Sequence, residues 1–414
     1  MKILTVVHDY LPLHVGGAEL NAHQTSAILV ERGHDVTALF TERDLSQPAG
    51  TIKRGELDGV KTIEVIHQRE YADVRETYQE EESAGIFKQM IEELRPDVVH
   101  FHNFAFWGAR CVGIARAAGC RVVAVLHDYH LICDNSILLR KDASLCTEGS
   151  RGGCHECLER HPLHPDRASN QSRGSAYRDA NAERRALHAE SLAQVHKVVP
   201  SSYFLADRFK EAGWLREEQI VVLKAGYPGA RREARRSDPT KALRVGFVGG
   251  IYHSKGVHVL VEAFSHLKDV AAELSVHGVL EWFPDYVASL REIAVDSAVR
   301  FAGRFDPAEL DSVLAGFDVL VVPSIWYENM PLTIQQAFRN SIPVIATDLG
   351  GMAESVEDGV SGKLFPRGDS LALAGVIREL ANDREELFRL ASQTPIPPSM
   401  EDIALEVEAL YRAE

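Results

Sequence analysis

Two short loops that follow apolar runs contain residues suited to binding an anion. Gly16 and Gly17 lie between the run Ile3–Val7 and a stretch with helical periodicity. A residue without a Cβ atom lets backbone N–H groups approach an anion closely, and a helix N-terminus carries about half a positive charge. Lys255 follows the run Arg244–Gly249, where its ammonium group could reach a phosphate. The loops therefore favour phosphate binding, with a glycine-requiring turn and an exposed first-turn lysine as the simpler alternatives.

The stretch Val321–Phe338 adds a carboxylate to a second possible anion site. Pro331 stands where a helix favours its first residue, so the N–H groups around it lack partners within the helix. These N–H groups belong to Met330, Leu332 and Thr333. Glu328 nearby would repel a phosphate, but it would accept hydrogen bonds from hydroxyl groups. The combination predicts a ligand with both a phosphate and hydroxyls, such as a sugar diphosphate.

Four cysteines occur close together in a polar, turn-rich segment. They are Cys133, Cys146, Cys154 and Cys157. Four thiolates make a complete tetrahedral set for structural zinc, and the last two form the usual close pair. An iron–sulfur cluster or unligated thiols are the alternatives. Cys111 and Cys120 lie in an apolar region and are interpreted as packing residues.

The elements that position these residues alternate between short β-branched runs and longer helical patterns, which predicts α/β domains with parallel sheets. The predicted strands of the first series are Ile3–Val7, Val36–Phe40, Val60–Ile66, Asp97–Phe101, Arg121–Leu126 and Lys197–Pro200. Those of the second series are Arg244–Gly249, Leu274–His277, Val299–Ala302, Val319–Val322 and Val344–Ala346. Both series predict doubly wound sheets of the same plan.

The predicted domain boundaries follow from this pattern and from a charged, turn-rich stretch between the two series. Residues 1–230 form the N-terminal domain, with the cysteine-rich insertion at about 130–160. Residues 231–243 form the linker and residues 244–390 the C-terminal domain. Residues 391–414 form a final helix that we expect to cross back toward the N-terminal domain.

Composition and charge exclude several classes of protein. The 414 residues include 60 acidic and 45 basic side chains, a net charge of −15, which argues against a nucleic-acid partner. Residues 160–244 alone contain 17 Lys or Arg and 10 Asp or Glu, so a local basic surface is possible. Contact with a membrane surface is possible but not favoured over a solvated linker. The N-terminus does not read as a signal peptide, and we expect a cytoplasmic protein.

Taken together, the motifs resemble the large retaining glycosyltransferase family four, and the match covers nearly the whole chain. The segments that carry the resemblance are Gly16–Glu19, His127–Tyr129, Gly246–Gly249 with Lys255 and Gly256, Phe301–Phe305, Pro323 and Ser324, Glu328–Thr333, and Pro343–Gly351 followed by Glu354. The resemblance implies the GT-B fold, in which two Rossmann-like domains face each other across a cleft.

The resemblance also implies a nucleotide-sugar donor and a role for each motif. The diphosphate would contact the Gly16–Gly17 loop, Lys255 and the amides near Leu332 and Thr333. The base would lie by Arg304 and Phe305, and Glu328 would contact the sugar hydroxyls. His127 would lie beside the transferred sugar, to orient a hydroxyl or to donate to the departing charge, with a structural histidine as the alternative. The remaining donor-binding residues would be Asn329, Met330, Pro331 and Gln336.

Three positions depart from the family pattern. Gln336 replaces the second glutamate that commonly contacts the ribose hydroxyls, and an amide there can still accept and donate hydrogen bonds. Gly250 stands where an arginine often precedes the phosphate-binding lysine, and Ala225–Gly226 replaces the usual Asn-Gly turn.

The resulting functional prediction is retaining transfer of a sugar from a nucleotide-sugar donor to an acceptor hydroxyl or amine, without a catalytic divalent ion. Two alternatives use the same motifs: a GT-B nucleotide-sugar epimerase or hydrolase, and a non-catalytic nucleotide-sugar-binding protein. A nicotinamide-dependent oxidoreductase is least favoured, because neither domain has the three-glycine fingerprint followed by an acidic residue about twenty positions on.

Overall fold

The computed structural model describes residues 1–69, 75, 78, 81–147, 154, 175–224, 226–227, 229–295 and 297–413. The chain divides into two compact units, one formed by Met1–Gly226 with Pro398–Glu414 and the other by Tyr227–Pro397. The division at residue 226 precedes the segment 231–243 that we assigned to the linker. That segment contacts the second unit, because Arg231 Nε donates to Ser341 Oγ at 3.1 Å and the Arg232 N–H donates to the Arg339 carbonyl at 2.8 Å.

The first unit contains, within its described residues, a seven-stranded sheet in the order β3-β4-β2-β1-β5-β6-β7. The strands are β1 (Lys2–Val6), β2 (Asp35–Arg43), β3 (Ile52–Leu57), β4 (Val60–His67), β5 (Val98–Phe101), β6 (Arg121–Leu126) and β7 (Lys197–Pro200). Its helices before the second unit are α1 (Gly17–Glu31), α2 (Glu81–Leu94), α3 (Arg110–Ala117), α4 (Ser175–Ala193) and α5 (Tyr203–Glu211). Strand β3 pairs antiparallel with β4, whereas the other pairs are parallel.

The second unit contains, in its described part, a six-stranded parallel sheet in the order β10-β9-β8-β11-β12-β13. The strands are β8 (Leu243–Val248), β9 (Ala272–His277), β10 (Val299–Gly303), β11 (Val319–Val322), β12 (Val344–Thr347) and β13 (Gly362–Phe365). The helices are α6 (Val257–Ser265), α7 (Pro284–Ile293), α8 (Leu310–Leu314), α9 (Leu332–Arg339), α10 (Gly350–Ser355), α11 (Ser370–Asn382) and α12 (Arg384–Gln393).

The last helix, α13 (Met400–Leu410), belongs to the first unit. Ile403 and Val407 lie in the same buried apolar cluster as residues of β1, α1 and β2. Glu408 is 4 % exposed, and its carboxylate pairs with Arg32 Nε at 2.6 Å. Helix α13 is therefore anchored to α1 and its C-cap by apolar packing and by an ion pair whose carboxylate is buried.

Each sheet has a point where the chain reverses its direction of strand addition. In the first unit this point lies between β1 and β5, and in the second unit it lies between β8 and β11. Ligands of open α/β sheets bind at the carboxyl ends of the strands at such a switch point. The loops after β1, β5, β8 and β11 are therefore the places where the fold exposes side chains for binding.

The predicted α/β fold is confirmed, and all eleven predicted strands are present. Two further strands were not predicted, and both lie at the edge of a sheet. Strand β3 has the sequence IKRGEL and contains no buried residue, so it lacks an apolar signal. Strand β13 is four residues long and begins with Gly362 and Lys363. Edge strands are commonly short and charged, which weakens the sequence pattern that identifies them.

No helix in the described part of the chain is long and apolar enough to cross a bilayer.

Candidate functional site

The loop after β8 lies directly against the loop after β11 because of Gly256. Lys255 ends a short 3-10 turn, and Gly256 follows with φ +68°, in the left-handed region. A Cβ atom at this position would lie 1.9 Å from the carbonyl oxygen of Pro323. Glycine is therefore required here both by the backbone conformation and by the close approach of the second loop.

This approach brings Lys255 into contact with Glu328. The Lys255 Nζ atom lies 2.6 Å from Glu328 Oε1, which also accepts hydrogen bonds from Ser324 Oγ at 2.7 Å and from Trp326 Nε1 at 2.9 Å. Glu328 is 5 % exposed, whereas 23 % of the Lys255 side chain is exposed. An ammonium group has three N–H donors, and Glu328 engages one of them. The pair therefore combines a fixed buried carboxylate with a cation that solvent or a ligand can reach.

Lys255 is positively charged at neutral pH. Burial by itself lowers the pKa of Lys255, but the Glu328 carboxylate and Tyr252 raise it, and the pKa lies above its ordinary value. The ammonium group is also 5.5 Å from the centre of the Trp326 ring, within the range of a cation–π contact. The charge needed to bind a phosphate is thus present before any ligand arrives.

Helix α9 begins beside this pair. Pro331 is the N-cap residue of the helix, one position earlier than predicted, and Leu332 is the first helical residue. Ile334, Ala337 and Phe338 are buried in an apolar cluster of the second unit, as their spacing predicts. Because the first N–H groups of a helix have no intrahelical acceptor, the α9 N-terminus directs donors and a partial positive charge outward. Asn329 and Met330, which precede the proline, are buried.

Gln336 is hydrogen-bonded to Tyr227, a residue that the sequence did not single out. Burial raises the pKa of Tyr227, and the hydrogen bond from Gln336 and the charge of Arg339 partly oppose this rise. The Arg339 guanidinium lies 5.4 Å from the centre of the Tyr227 ring. The contact links residues 227 and 336, which are too far apart in the sequence for any local pattern to predict. The predicted ribose-binding amide is thus held by an aromatic hydroxyl.

Arg304 and Phe305 follow β10 at the carboxyl edge of the second sheet, with the Arg304 side chain exposed and Phe305 half-buried. The Phe305 ring packs edge-on against His277, with 5.8 Å between the ring centres. Burial and then Arg300 lower the pKa of His277, which therefore stays neutral at pH 7. His277 was predicted only as the end of a strand. An aromatic ring and a guanidinium at this edge are suited to contacting a planar base.

The glycine pair of the first unit begins α1, as predicted, but not because of positive φ. Gly16 is the N-cap residue of α1 with φ −113°, and a Cβ atom there would lie 2.3 Å from Glu19 Oε2. The Glu19 carboxylate thus folds back over the loop. His8 Nε2 lies 3.3 Å from Glu19 Oε1 and 3.4 Å from Asp9 Oδ2. In the described part of the chain, these three side chains form a group with potential metal-ligand atoms within 4.8 Å of one another.

His127 lies at the end of β6, next to a chain of buried rings. Its Nε2 atom is 3.3 Å from His102 Nδ1, and the His102 ring centre is 4.3 Å from that of His100. His100 Nδ1 is 2.7 Å from the Tyr411 hydroxyl, which follows α13. His102 is 2 % exposed and His100 is 1 % exposed. The sequence places these histidines at the end of β5, but their mutual contacts depend on the pairing of β5 with β6.

The hydrogen-bonding pattern assigns the proton in the His102–His127 contact. The Nε2 atom of His102 is buried and has no partner among the described residues. A proton on that atom would leave a buried donor unsatisfied, which costs more than an unshared lone pair. His102 therefore carries its proton on Nδ1 and donates it to His127 Nε2. Burial and the nearby His8 lower the pKa of His127 to about 4, so His127 is neutral at pH 7 and protonated on Nδ1.

Because His100 is buried, we expect the protein to lose stability in mild acid. Burial, followed by the charge of His127, lowers the pKa of His100 to about 3 in the folded state. The unfolded chain binds this proton near pH 6.5, so the contribution is complete above about pH 6.5 and is lost as pH falls. We expect His100 to account for a loss of about 2 kcal/mol of unfolding free energy by about pH 5. Urea titrations of wild type and His100→Phe at about pH 6.5 and about pH 5 measure this loss of unfolding free energy. An equal pH dependence for the two proteins would contradict the prediction.

The backbone conformation and close contact of Gly256 lead us to expect that one added methyl group at this position strongly lowers stability. We expect Gly256→Ala to lower the free energy of unfolding by about 3 kcal/mol, because it adds both left-handed strain and a clash with a backbone carbonyl. Gly375→Ala is the matched control, because the position is in helix α11 and no described atom beyond its chain neighbours and the local helix backbone lies within 4 Å of the added Cβ. The control should be neutral or raise stability by up to about 1 kcal/mol. Urea denaturation checks both variants, and similar values for the two would refute the close approach.

The cysteine-rich segment lies partly outside the described residues. Cys133 and Cys146 are buried and Cys154 is half-buried, whereas Cys157 lies outside the described residues. Burial raises the pKa of Cys133 to about 12, and the neighbouring Cys146 contributes to this rise. These two thiols are therefore close enough to influence each other. Cys111 and Cys120 are fully buried, as expected for packing residues.

Comparison with known proteins identifies the family. The family model described as Glycosyltransferase Family 4 matches residues 15–228, and the model described as Glycosyl transferases group 1 matches residues 242–383. The D-inositol 3-phosphate glycosyltransferase of Corynebacterium urealyticum is 30% identical over 208 residues, which cover 47% of this chain and 49% of that protein. The chain therefore spans about half the length of that relative.

Two other similar proteins align over most of the chain. The glycogen synthase of Mycobacterium tuberculosis is 24% identical over 401 residues, covering 92% of this chain and 86% of that protein. The crystal structure of Anabaena HepE in complex with UDP and glucose matches with a TM-score of 0.67 and 18% identity, covering 100% of both chains. The structural match confirms the predicted GT-B fold class. Because a model of the family matches more than half of its residues, the chain belongs to glycosyltransferase family 4 and is a glycosyltransferase.

Proposed function

We propose that this glycosyltransferase moves a sugar from a nucleotide-sugar donor to an acceptor hydroxyl or amine with retention of anomeric configuration and without a catalytic divalent ion. The observation that carries the proposal is the contact of Lys255 with Glu328 beside the N-terminus of α9. The contact lies at the switch point between β8 and β11, where α/β sheets bind their ligands.

The two members of this pair serve different parts of the donor. Lys255 and the first amides of α9, those of Leu332 and Thr333, bind the diphosphate and stabilise the negative charge that grows on it as the glycosidic bond breaks. Glu328 accepts hydrogen bonds from sugar hydroxyls, and its contacts with Ser324 and Trp326 hold the carboxylate in place. Because these groups are positioned before the ligand binds, little reorganisation is needed during the reaction.

The other predicted residues complete the donor contacts. Arg304 and Phe305 contact the base, Gln336 contacts the ribose, and Asn329, Met330 and Pro331 shape the loop before α9. In the first unit, the Gly16–Gly17 loop approaches the diphosphate, and neutral His127 contacts the transferred sugar. Glu19 and Asp9 lie beside that loop, so we assign most of the attraction for phosphate to the second unit.

Donors related to UDP-glucose are the first to test. The structure of HepE contains UDP and glucose, and the relatives named above include a glycogen synthase. The test incubates the protein with a panel of nucleotide sugars and with sugar, inositol and lipid-linked acceptors, and NMR of the product gives its anomeric configuration. Transfer with retention supports the proposal. Free sugar or an epimer formed equally fast without acceptor would favour the epimerase or hydrolase, and donor binding without turnover would favour a non-catalytic role.

We also propose a structural zinc ion held by Cys133, Cys146, Cys154 and Cys157. Buried thiols with raised pKa stay protonated unless a metal ion displaces the proton, and Cys133 and Cys146 lie near each other. A polar loop with little apolar content gains most from such a cross-link. The ion would stabilise the loop, and the cytoplasm, where we expect the protein, keeps thiols reduced for such binding.

The zinc proposal predicts a change in metal content that a packing cysteine would not cause. We expect about one zinc per chain in wild type, and a loss of that metal with lower thermal stability in Cys154→Ser and Cys157→Ser. Cys120→Ser is the matched control and should keep its metal. Elemental analysis of protein purified without chelator provides the measurement, and wild-type protein free of metal would refute the site.

A further inference from the structure

A cavity of about 710 Å³ lies at the opposite edge of the first sheet from His127. Arg121 is the first residue of β6 and Lys197 is the first residue of β7, and both line the cavity. His127 follows the last residue of β6, so the length of a six-residue strand, about 20 Å, separates it from this cavity. The cavity is therefore distinct from the residues assigned to glycosyl transfer.

Positive charge dominates the lining of the cavity. Its permanent cations are Arg116, Arg121, Lys197 and Arg216, and its single carboxylate is that of Glu218. Helices α3, α4 and α13 end nearby, and each C-terminus contributes about half a negative charge. Four positive charges therefore face one negative charge on Glu218 and, if all three helix ends act fully, about one and a half more negative charges. The net charge of the lining is still about +1.5. The helix ends alone do not account for this many cations.

Most of these cations have neutral partners. Arg116 donates to His196 Nε2, Arg121 Nε donates to the Leu410 carbonyl at 2.7 Å, and Lys197 donates to the Glu218 carbonyl at 2.8 Å. Arg216 pairs with the Glu218 carboxylate at 3.0 Å. Within the described part of the chain, no carboxylate lies within ion-pair distance of Arg116, Arg121 or Lys197. Three cations that line one cavity thus lack a carboxylate partner among the described residues.

Burial and mutual repulsion among these groups lower the pKa values of Arg121 and His196. Burial lowers the pKa of Arg121, and the neighbouring Arg116 lowers it further. Burial, Arg116 and Arg121 likewise lower the pKa of His196, which accepts a hydrogen bond from Arg116 and is neutral. The Nη2 atom of Arg121 is buried and has no hydrogen-bond partner among the described residues. An anion in the cavity would offset the repulsion among these cations without contacting the buried Nη2 atom.

We propose that this cavity binds a phosphate-bearing small molecule at a second site, separate from the nucleotide-sugar site. A phosphate dianion matches the excess positive charge, and guanidinium groups present the paired donors that phosphate oxygens accept. The volume lies within the range of small-molecule sites, so the phosphate can carry an organic group. The site does not depend on the proposed transfer reaction, because none of its residues belongs to the donor site.

Calorimetric titration with inorganic phosphate tests the site directly. Wild type should bind one phosphate in the cavity, and Arg116→Gln and Lys197→Gln should each weaken that binding about tenfold. Lys61→Gln is the matched control, because Lys61 is an exposed lysine of the same unit that pairs with Asp35. It should bind like wild type. Lys197→Gln removes one exposed hydrogen bond, to the Glu218 carbonyl, so it keeps the test valid if the arginine variant unfolds.

A second arm uses vesicles of phosphatidylcholine with and without phosphatidylglycerol. Binding of the anionic vesicles that is lost in Lys197→Gln would support the site and identify its phosphate as a lipid headgroup. Lys255→Gln must leave phosphate binding at the cavity unchanged, which separates this site from the donor site. Equal binding of phosphate and vesicles by wild type, Lys197→Gln and Lys61→Gln, or binding by none of them, would overturn the proposal.

Discussion

Replacement of Lys255 by Met is expected to lower kcat/KM for glycosyl transfer about a thousandfold. Methionine has a similar length but cannot neutralise the diphosphate as it departs. It also leaves the Glu328 carboxylate, which is 5 % exposed, with only the neutral donors Ser324 and Trp326. A buried charge without its ionic partner is costly, so some loss of stability should accompany the loss of activity.

Two further variants separate binding from stability in this prediction. Lys268→Met removes an exposed lysine of the same unit and should leave kcat/KM unchanged. Glu328→Gln keeps the shape of the side chain but removes its charge, and it should lower kcat more than it weakens binding of the nucleoside diphosphate alone. Steady-state kinetics and calorimetry with the diphosphate measure these effects. Wild-type kinetics in Lys255→Met would refute the assigned role.

The second large effect is expected at His127. His127→Phe should lower kcat about a hundredfold and leave the affinity for nucleoside diphosphate nearly unchanged, because in the proposed complex His127 contacts the sugar rather than the nucleotide. His266→Phe, at an exposed position, is the control and should behave like wild type. Reduced affinity for the diphosphate with unchanged kcat would contradict this assignment.

His102 provides a test of how His127 is positioned. His102 is buried and donates to His127 Nε2, so it fixes the tautomer of His127 without contacting the substrate. In His102→Phe, the His127 ring loses this donor and its tautomer is no longer fixed. The variant should lower kcat and change the ring ¹⁵N shifts of His127. An unchanged tautomer in the variant would contradict the positioning role of His102.

The sequence predicted the elements of the candidate site better than the contacts within it. The helical pattern after Pro331 and the strand before Lys255 were both identified correctly, because periodicity and turn residues are local signals. The contact between Lys255 and Glu328 was not predicted. It depends on β8 lying beside β11 and on Gly256 meeting the Pro323 carbonyl, and both follow from strand order rather than from local sequence.

The same reason explains the other residues that were missed. Tyr227 contacts Gln336 across more than a hundred residues of chain, and His277 meets Phe305 only because β9 and β10 are neighbours. His102 contacts His100, and His100 meets Tyr411 because α13 returns to the first unit. In the sequence, His102, His277 and Tyr411 look like ordinary strand-end or helix-end residues, and Tyr227 looks like an ordinary residue of the connecting segment. For His102 and His277 the signal was position at the carboxyl end of a strand, which is informative once the strand order is known. Tyr227 and Tyr411 carry no such signal.

The central claim is that the donor diphosphate binds at the β8–β11 switch point against Lys255. A crystal structure of the protein with the nucleotide sugar that it binds best in the donor panel is the most direct measurement. We expect diphosphate oxygens within hydrogen-bonding distance of Lys255 Nζ and of the Leu332 and Thr333 amides, with sugar hydroxyls on Glu328. A diphosphate bound elsewhere, with Lys255 still contacting Glu328 and no part of the ligand, would contradict the claim.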